Sequence, residues 1–593
     1  MIRRVLLAFV AAFATACAAG PASPPITAVA VAPDSLRLEP TAAIPDSGPI
    51  VPADWRFDGK ARIAVGSQAM VASASPIASE VGRDILRKGG NAVDAAVAVG
   101  FALAVVHPEA GNLGGGGFMV IRMADGTVQA LDYRETAPRA ATRDMYVDQR
   151  GNPTSLSITG HLAAGIPGSP AGLVEAHSRF GKLPFRDVIQ PAVLLASQGF
   201  LVDDYRSRSI DSDRERLYLF PASRRQFLPG GQAPKAGTRW AQPDLGRTLT
   251  AIRDNGRDGF YGGWVADSIV AEMERGGGII AHEDLAEYQA IWRDPVEITY
   301  RGHTVYSMPP ASSGGVTMSE ILNIVEGFEP LPNFGSPRLL HLEAEAMRRA
   351  FTDRNRELGD PAFLDMPLDR LTSKEYAATL RAEIQDTATP TPAFDASVPD
   401  GESTTHYSVV DPDGNAVSTT TTLNNGYGNA VTVSGAGFLL NDEMDDFATA
   451  PGKPNMFGLV QGEANRVEPG KRMLSAMTPS IVLDPQGELY MVVGTPGGPR
   501  IITMVYHVIS NVLDHGMSLP DAVEAPRMHH QALPDQIRLE REGFLPAVID
   551  SLERLGHTVV EGGYSGDVEA IIRVPEGWQG VSDPRLGGAP AGY

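Results

Sequence analysis

The stretch TTHYSVVDPDGNAVSTTTTLN, residues 404–424, decides how this chain folds. Two runs rich in β-branched residues flank the turn-forming sequence Pro412-Asp413-Gly414, and this pattern predicts a β-hairpin. A two-residue Asp-Gly loop would need a backbone N–H at position 412, which proline lacks. Proline suits the first position of a three-residue loop, and Gly414 suits its left-handed third position. The sequence therefore predicts a hairpin in which Asp411 pairs with Asn415.

The same register places two threonines opposite each other at the open end of the hairpin. Thr404 faces Thr422, and facing Cβ atoms in a strand pair lie about 4.5 to 5.5 Å apart, close enough for a hydrogen bond between the hydroxyl groups. Asn424 lies on the same face, just beyond this pair. Threonine-rich strand pairs are more often structural than chemical, so the hairpin alone does not predict a function.

A change of composition precedes the hairpin. Residues 386–403, DTATPTPAFDASVPDGES, show neither a helical nor a strand period, which predicts an exposed linker. Before it, helix and strand patterns mix: we expect a helix over Asn91–Val106, a hairpin over Phe118–Tyr133 and amphipathic helices near 336–357. The chain is therefore expected to belong to the α/β (α+β) class.

Composition excludes several kinds of protein. The 593 residues include 50 Lys and Arg against 71 Asp and Glu, and the net charge of −21 opposes binding to nucleic acid. With 43% hydrophobic and 20% charged residues, the composition is that of a folded globular protein. Cys17 is the only cysteine, which excludes an intrachain disulfide, a cysteine-rich zinc site and a cysteine nucleophile in the core.

The first residues have the pattern of an export signal. Arg3-Arg4 is followed by an apolar run from Val5 to Ala19, which is too short for a membrane-spanning helix. We expect residues 1–17 to be a signal peptide, processed either as a lipoprotein at Cys17 or by ordinary signal peptidase. Residues 18–57 are rich in Pro and Ala and are expected to form a disordered tether. The mature protein is then expected in the periplasm, either free or lipid-anchored through Cys17.

Seven motifs, in order along the chain, resemble those of the γ-glutamyltransferase family, also called the γ-glutamyltranspeptidase or glutathione hydrolase family. The resemblance extends from about Gly59 to Tyr593. The motifs are GGNAVDAA (89–96), HPEAGNLGGGGFM (107–119), DYRE (132–135), YSMPP with SSGG (306–315), TTHYS (404–408), MDDF (444–447) and GTPGG (494–498).

The resemblance implies a fold and a maturation step. It implies a four-layer αββα sandwich of the N-terminal nucleophile hydrolase class, made as a precursor that cuts itself between Ser403 and Thr404. The products would be a large subunit, 58–403, and a small catalytic subunit, 404–593, which form a heterodimer. The cut would give Thr404 a free α-amine with a pKa of roughly 7.7 to 8.0, a base beside its own hydroxyl group. Thr422 would orient that hydroxyl.

The resemblance also implies a pocket for the zwitterionic γ-glutamyl end of a substrate. Such a pocket needs a cation and hydroxyl donors for the carboxylate, acceptors for the ammonium, and backbone N–H donors for the oxyanion of acyl transfer. The matching positions are Arg134 and Ser475 for the carboxylate, Asn424, Glu443 and Asp446 for the ammonium, and Gly497 and Gly498 for the oxyanion.

Two positions depart from the family pattern. Ala476 follows Ser475 where the family commonly has a second serine, so one hydroxyl contact to the substrate carboxylate is missing. The loop 451–462 resembles a lid whose gating residue is tyrosine, and here that residue is Phe457, which cannot donate a hydrogen bond. No cofactor is expected. No metal is expected either, because the adjacent His529 and His530 would point to opposite faces of a strand and the sequence shows no third ligand.

The sequence thus predicts γ-glutamyl transfer and hydrolysis on glutathione and related γ-glutamyl amides, with water, an amino acid or a peptide as acceptor. One alternative is a glutaryl or cephalosporin-type acylase on the same scaffold, although Asp446 would have no ammonium to bind in such a substrate. Another alternative is an uncleaved, inactive binding protein for γ-glutamyl peptides.

Overall fold

A computed structural model of the chain describes residues 50–391 and 404–593. The predicted signal peptide, Cys17, residues 18–49 of the tether, and Ser403 at the predicted cut lie outside these residues. In chain order, the strands are β1 (Arg62–Gly66), β2 (Met70–Ser73), β3 (Gly116–Arg122), β4 (Val128–Tyr133), β5 (Phe200–Leu201), β6 (Arg239–Trp240), β7 (Ile291–Arg293), β8 (Val296–Tyr300), β9 (His303–Ser307), β10 (Thr404–Val410), β11 (Ala416–Thr422), β12 (Ser480–Leu483), β13 (Leu489–Val493), β14 (Met528–His529), β15 (Ile537–Glu540), β16 (Val559–Gly562), β17 (Glu569–Val574), β18 (Gly577–Ser582) and β19 (Ala591–Gly592).

Helices surround these strands. They are α1 (Pro76–Arg87), α2 (Ala92–Val106), α3 (Ser169–Phe180), α4 (Phe185–Gln198), α5 (Asp204–Ser212), α6 (Arg214–Leu219), α7 (Pro221–Phe227), α8 (Pro243–Asn255), α9 (Asp258–Tyr261), α10 (Gly263–Gly276), α11 (His282–Glu287), α12 (Gly314–Glu326), α13 (Pro337–Glu357), α14 (Leu368–Leu371), α15 (Lys374–Ala382), α16 (Arg500–Leu513), α17 (Leu519–Glu524) and α18 (Pro546–Arg554). Within the described ranges, no helix combines the length and the apolar character needed to span a bilayer.

Two antiparallel seven-stranded sheets form the centre of the fold. Sheet I has the order β19-β2-β10-β11-β3-β4-β7, and sheet II has the order β1-β18-β17-β13-β12-β9-β8. The sheets face each other through contacts such as β10 with β17 and β11 with β13. Helices α1, α2 and α3 pack on the outer face of sheet I, and α12 packs on sheet II. The predicted αββα sandwich is therefore confirmed.

Burial on both faces of sheet I follows from the alternation of side chains along a strand. In β3, Met119 and Ile121 join the core beneath the helices that cover sheet I, whereas Phe118 and Val120 join the core shared with sheet II. Such a strand must be apolar at consecutive positions, which is what the sequence shows.

The hairpin that begins at Thr404 has the predicted loop and register. Strand β10 pairs with β11 so that Thr404 lies opposite Thr422. The backbone N–H of Asp411 donates to the carbonyl of Asn415 at 3.1 Å, and Gly414 adopts a φ of 85°. The missing N–H of Pro412 therefore costs no hydrogen bond in the strand pair.

Other local predictions are confirmed with small changes of boundary. The predicted helix is α2, which begins with a reciprocal capping box between Asn91 and Asp94, and the predicted hairpin is the β3–β4 pair. The amphipathic pattern near 336–357 forms the single helix α13.

The predicted end of the tether at residue 57 is wrong. Trp55 and Phe57 are buried, and the indole N–H of Trp55 donates to the carbonyl of Glu524 at 2.8 Å. Two aromatic side chains bury enough apolar surface to order this segment against the body of the fold. The folded body thus includes residues before position 58.

Candidate active site

The predicted site residues converge on one small pocket at the open end of the β10–β11 hairpin. The pocket is small and partly open to solvent. Its lining includes most of the predicted residues: Arg134, Thr404, Thr422, Asn424, Glu443, Asp446, Phe457, Ser475 and Gly498. Gly497 is the neighbour of a lining residue. Ser403 lies outside the described residues, so the predicted cut stays a prediction.

Thr404 begins β10, a central strand of sheet I, and its side chain reaches the pocket. Its Oγ1 atom lies 3.1 Å from Oγ1 of Thr422, within hydrogen-bonding distance. Thr422 Oγ1 also accepts a hydrogen bond from the backbone N–H of Asn424 at 2.9 Å. Because the Thr422 hydroxyl is fixed from the other side in this way, it can hold the Thr404 hydroxyl in one orientation.

Arg134 is a completely buried cation at the end of β4. Its Nε donates to the carbonyl of Met473 at 3.1 Å, and its two terminal nitrogens pair with Glu443 and Asp446. Both carboxylates belong to one short 3₁₀ turn, Glu443–Asp446. Burial lowers the pKa of the guanidinium, but these carboxylates raise it by more, so Arg134 stays charged.

Burial raises the pKa of the carboxyl groups around Arg134. For Glu443 and Asp446 the positive charge of Arg134 opposes this increase. Glu135 lies farther away, with Oε2 3.8 Å from Arg134 Nη1, and burial raises its pKa to about 8. Arg134 thus stands among three buried carboxyl groups whose pKa values are raised by burial.

Gly497 and Gly498 lie immediately before α16, with φ angles of 137° and 57° that favour glycine. Within the described part of the chain, neither backbone N–H donates to a protein acceptor. Gly498 lines the pocket beside Thr404. Two backbone donors at a helix N-terminus suit the negative oxygen of a tetrahedral intermediate.

Phe457, in the loop 451–462 that resembles a lid, lines the pocket. It is buried, and its ring lies so close to Gly498 that a Cβ there would be 3.1 Å from Cδ1 of the ring. The backbone N–H of Met456 donates to Asp445 at 2.9 Å, and Gln461 donates to the carbonyl of Asp446 at 3.1 Å. The loop is thus hydrogen-bonded to the turn that carries the acidic residues.

On the opposite wall, Ser475 is held by its backbone. Its carbonyl accepts from the N–H and the hydroxyl of Ser313, at 2.8 and 2.6 Å. Ala476 lines the pocket with a methyl group and supplies no hydroxyl.

Two charged residues of the site were not predicted from the sequence. Arg354 lines the pocket although it belongs to α13, far from the other site residues in sequence. Glu135 lies in the DYRE motif beside Arg134, and this position was the only sequence signal for it. Among residues 50–391 and 404–593, no group of three or more His, Cys, Asp and Glu side chains is arranged to hold a metal ion.

Comparisons with known proteins agree with this geometry. A family model described as gamma-glutamyltranspeptidase matches residues 78–593. The "Glutathione hydrolase proenzyme" of Escherichia coli (strain K12) is 46% identical over 535 residues, which cover 89% of this chain and 92% of the relative.

Solved structures give the same result. A cephalosporin acylase from Bacillus halodurans has a TM-score of 0.80 at 27% identity, covering 91% of this chain and 99% of its own. A gamma-glutamyltranspeptidase from Helicobacter pylori has a TM-score of 0.53 at 44% identity, covering 54% of this chain and 92% of its own. The acylase resembles this chain over a longer stretch, whereas the transpeptidase is more similar in sequence.

Proposed function

This chain is an enzyme of the gamma-glutamyltranspeptidase family, and on that premise we propose that it transfers and hydrolyses the γ-glutamyl group of glutathione and related γ-glutamyl amides. The observation that carries the proposal is the pair of hydroxyl groups of Thr404 and Thr422, 3.1 Å apart, in a pocket that also holds Arg134 and Asp446. A nucleophile with its orienting partner stands beside groups that recognise a carboxylate and an ammonium.

The proposal includes a cut between Ser403 and Thr404. An amide nitrogen inside an intact chain has no basic lone pair, whereas the α-amine of an N-terminal threonine is a base near neutral pH. The large fragment, which ends at Ser403, and the small subunit, 404–593, then form a heterodimer. The word "proenzyme" in the name of the E. coli relative supports this maturation.

Substrate binding follows from the charges of the pocket. The donor's α-carboxylate binds Arg134 and the Ser475 hydroxyl. Its ammonium binds Asn424, Glu443 and Asp446, and Asp446 thereby exchanges part of its contact with Arg134 for the ammonium. The γ-carbonyl group is then directed toward Thr404.

Acyl transfer proceeds in two halves. Thr404 Oγ1 attacks the γ-carbonyl carbon while the α-amine takes its proton, and the oxyanion accepts hydrogen bonds from the N–H groups of Gly497 and Gly498. The amine then protonates the departing nitrogen, which leaves as a free amine, and a γ-glutamyl ester of Thr404 remains. Water or an amine attacks this ester in the same way and restores the hydroxyl.

We propose further that the enzyme is exported to the periplasm. The support is the sequence of residues 1–17, with Arg3-Arg4 before a short apolar run. Processing at Cys17 would add a lipid anchor. Radiolabelled palmitate in the mature protein, absent from a Cys17→Ser variant, would distinguish lipidation from ordinary cleavage.

The function is tested with Thr404→Ala and Thr404→Ser variants. The unaltered enzyme should run as two bands on a denaturing gel, the smaller one starting at Thr404 by N-terminal sequencing, and should hydrolyse a γ-glutamyl anilide. Thr404→Ala should remain one band and lose turnover by at least about 10³-fold, whereas Thr404→Ser retains a hydroxyl nucleophile and should keep part of the activity.

Three results would contradict the proposal. A single intact chain with no turnover would favour a γ-glutamyl-peptide binding protein. Preference for a glutaryl anilide over the γ-glutamyl anilide would favour the acylase alternative. Unchanged turnover in Thr404→Ala would exclude Thr404 as the nucleophile.

A further inference from the structure

Arg354 is a buried cation in the pocket that forms no ion pair with a carboxylate of the described residues. Its side chain is held in place, because Nε donates to Ser313 Oγ and Nη1 donates to Asn355 Oδ1, both at 2.8 Å. Within the described residues, Nη2 makes no hydrogen bond, and no carboxylate lies within ion-pairing distance of the guanidinium. The guanidinium thus retains donors that the protein does not use.

Arg134 differs from Arg354 in this respect, since it already pairs with Glu443 and Asp446. Burial lowers the pKa of Arg354 to about 10, with Asp446 acting in the opposite direction and Arg134 adding to the decrease. Arg354 is therefore still protonated at neutral pH. An unpaired buried charge is unfavourable in the empty protein, and a bound anion would relieve that cost.

The contacts of Arg354 connect it to Ser475, a residue proposed to bind the donor's α-carboxylate. Ser313, which accepts from Arg354 Nε, donates through both its N–H and its hydroxyl to the carbonyl of Ser475. The next residue, Ala476, lines the same pocket with a methyl group. The guanidinium of Arg354 is thus connected through Ser313 to the segment Ser475-Ala476, in which the second residue has no hydroxyl group.

We propose that Arg354 is a second cation for the donor's α-carboxylate, binding it together with Arg134 and Ser475. A carboxylate has about four lone-pair sites and can accept from two guanidinium groups and one hydroxyl at once. Arg354 would then determine specificity for donors with an anionic α-substituent in a chain with alanine at position 476. This inference rests on the proposed function and adds a residue to its donor site.

The test compares two donors and three variants. The donors are a γ-glutamyl anilide and its analogue with a neutral α-carboxamide in place of the α-carboxylate. Arg354→Gln should lower kcat/KM for the anionic donor by about ten- to a hundredfold, mainly through KM, because a charge-assisted contact is lost. On the carboxamide the same variant should match the unaltered enzyme within about twofold.

Two further variants serve as rescue and control. Arg354→Lys keeps the positive charge but lacks the planar guanidinium. It should therefore lose less kcat/KM on the anionic donor than Arg354→Gln does. Arg356→Gln is the matched control. It removes a guanidinium from the same helix, and the side chain of Arg356 is 61% exposed. It should leave both donors unaffected.

Equal losses on both donors would overturn the inference, because a purely structural role acts on every substrate. No loss on the anionic donor would also overturn it, as would insolubility of both Arg354 variants when Arg356→Gln is soluble. If the unaltered enzyme does not hydrolyse the γ-glutamyl anilide, the proposed function fails as well. Activity of the unaltered enzyme with equal losses in Arg354→Gln would refute only the role of Arg354.

Discussion

Glu135 is a buried carboxyl group next to Arg134, the cation that we propose binds the substrate carboxylate. Within the described part of the chain, neither of its side-chain oxygens makes a hydrogen bond, and Arg134 Nη1 lies 3.8 Å from Oε2. Burial raises its pKa to about 8, although Arg134 opposes the shift. Its folded-state pKa lies above the ordinary carboxyl value, so its contribution to stability is present at low pH and is lost as pH rises toward 8.

Donor binding should therefore weaken in alkali. Above about pH 8, ionised Glu135 places a negative charge beside Arg134 and repels the α-carboxylate, so KM for a γ-glutamyl anilide should rise. Glu135→Gln is nearly isosteric and cannot ionise, so its KM should rise less over the same range. The pH profiles of KM for both enzymes check this expectation. Profiles that coincide would show that Glu135 does not titrate near pH 8.

Some site residues could be predicted from the sequence because local rules place them. The pairing of Thr404 with Thr422 follows from a proline a few residues away in the same hairpin. Arg354 follows no such rule, because its entry into the pocket depends on how α13 packs against Ser313 and the lid. The burial of Glu135 likewise results from tertiary packing, which the hydrophobic periodicity of a single sequence does not reveal.

At the scale of elements, two hairpins of different sheets use the same turn. Asp411–Gly414 joins β10 to β11 in sheet I, and Asp484–Gly487 joins β12 to β13 in sheet II. In each, the glycine N–H donates to the aspartate carbonyl, and the glycine φ is positive, 85° and 83°. The shared sequence Asp-Pro-X-Gly thus gives one geometry twice.

This pair of turns allows a matched substitution. Gly414→Ala and Gly487→Ala should each lower the free energy of unfolding by about 1 to 2 kcal/mol, because an L-residue resists the left-handed conformation. Neither added methyl group would clash, since the nearest atom to a Cβ at Gly414 is 3.9 Å away and none lies within 4 Å at Gly487. Urea denaturation in a Thr404→Ala background measures both values. A large difference between the two losses of unfolding free energy would contradict the expectation that both turns impose the same backbone strain.

The N-terminal boundary shows where element prediction failed. Proline and alanine between residues 18 and 57 indicated disorder, but Trp55 and Phe57 are buried near Glu524. Composition averaged over the segment concealed two aromatic residues, and the hydrogen-bond partner of Trp55 lies 469 positions later. Only tertiary structure supplies such partners.

At the scale of the whole molecule, both sheets are built from both sides of the linker. Sheet I takes β2, β3, β4 and β7 from before residues 392–403 and β10, β11 and β19 from after them. Sheet II is mixed in the same way. Strand β10, which starts at Thr404, is hydrogen-bonded on both sides, to β2 and to β11.

After the proposed cut, the two fragments should therefore remain associated in one complex. We expect the two fragments to elute together in size-exclusion chromatography without denaturant and to separate only in strong denaturant, because parting them would break the pairing in both sheets. A denaturing gel of the native peak should show both bands. Separate elution of the fragments under native conditions would refute this expectation.

The mixed origin of both sheets also has a genetic consequence. Under the proposed cleavage, the two fragments of each molecule come from one translation product, and exchanging a fragment after folding would break strand pairing in both sheets. A cell that expresses two alleles should thus contain two pure populations and no mixed heterodimers.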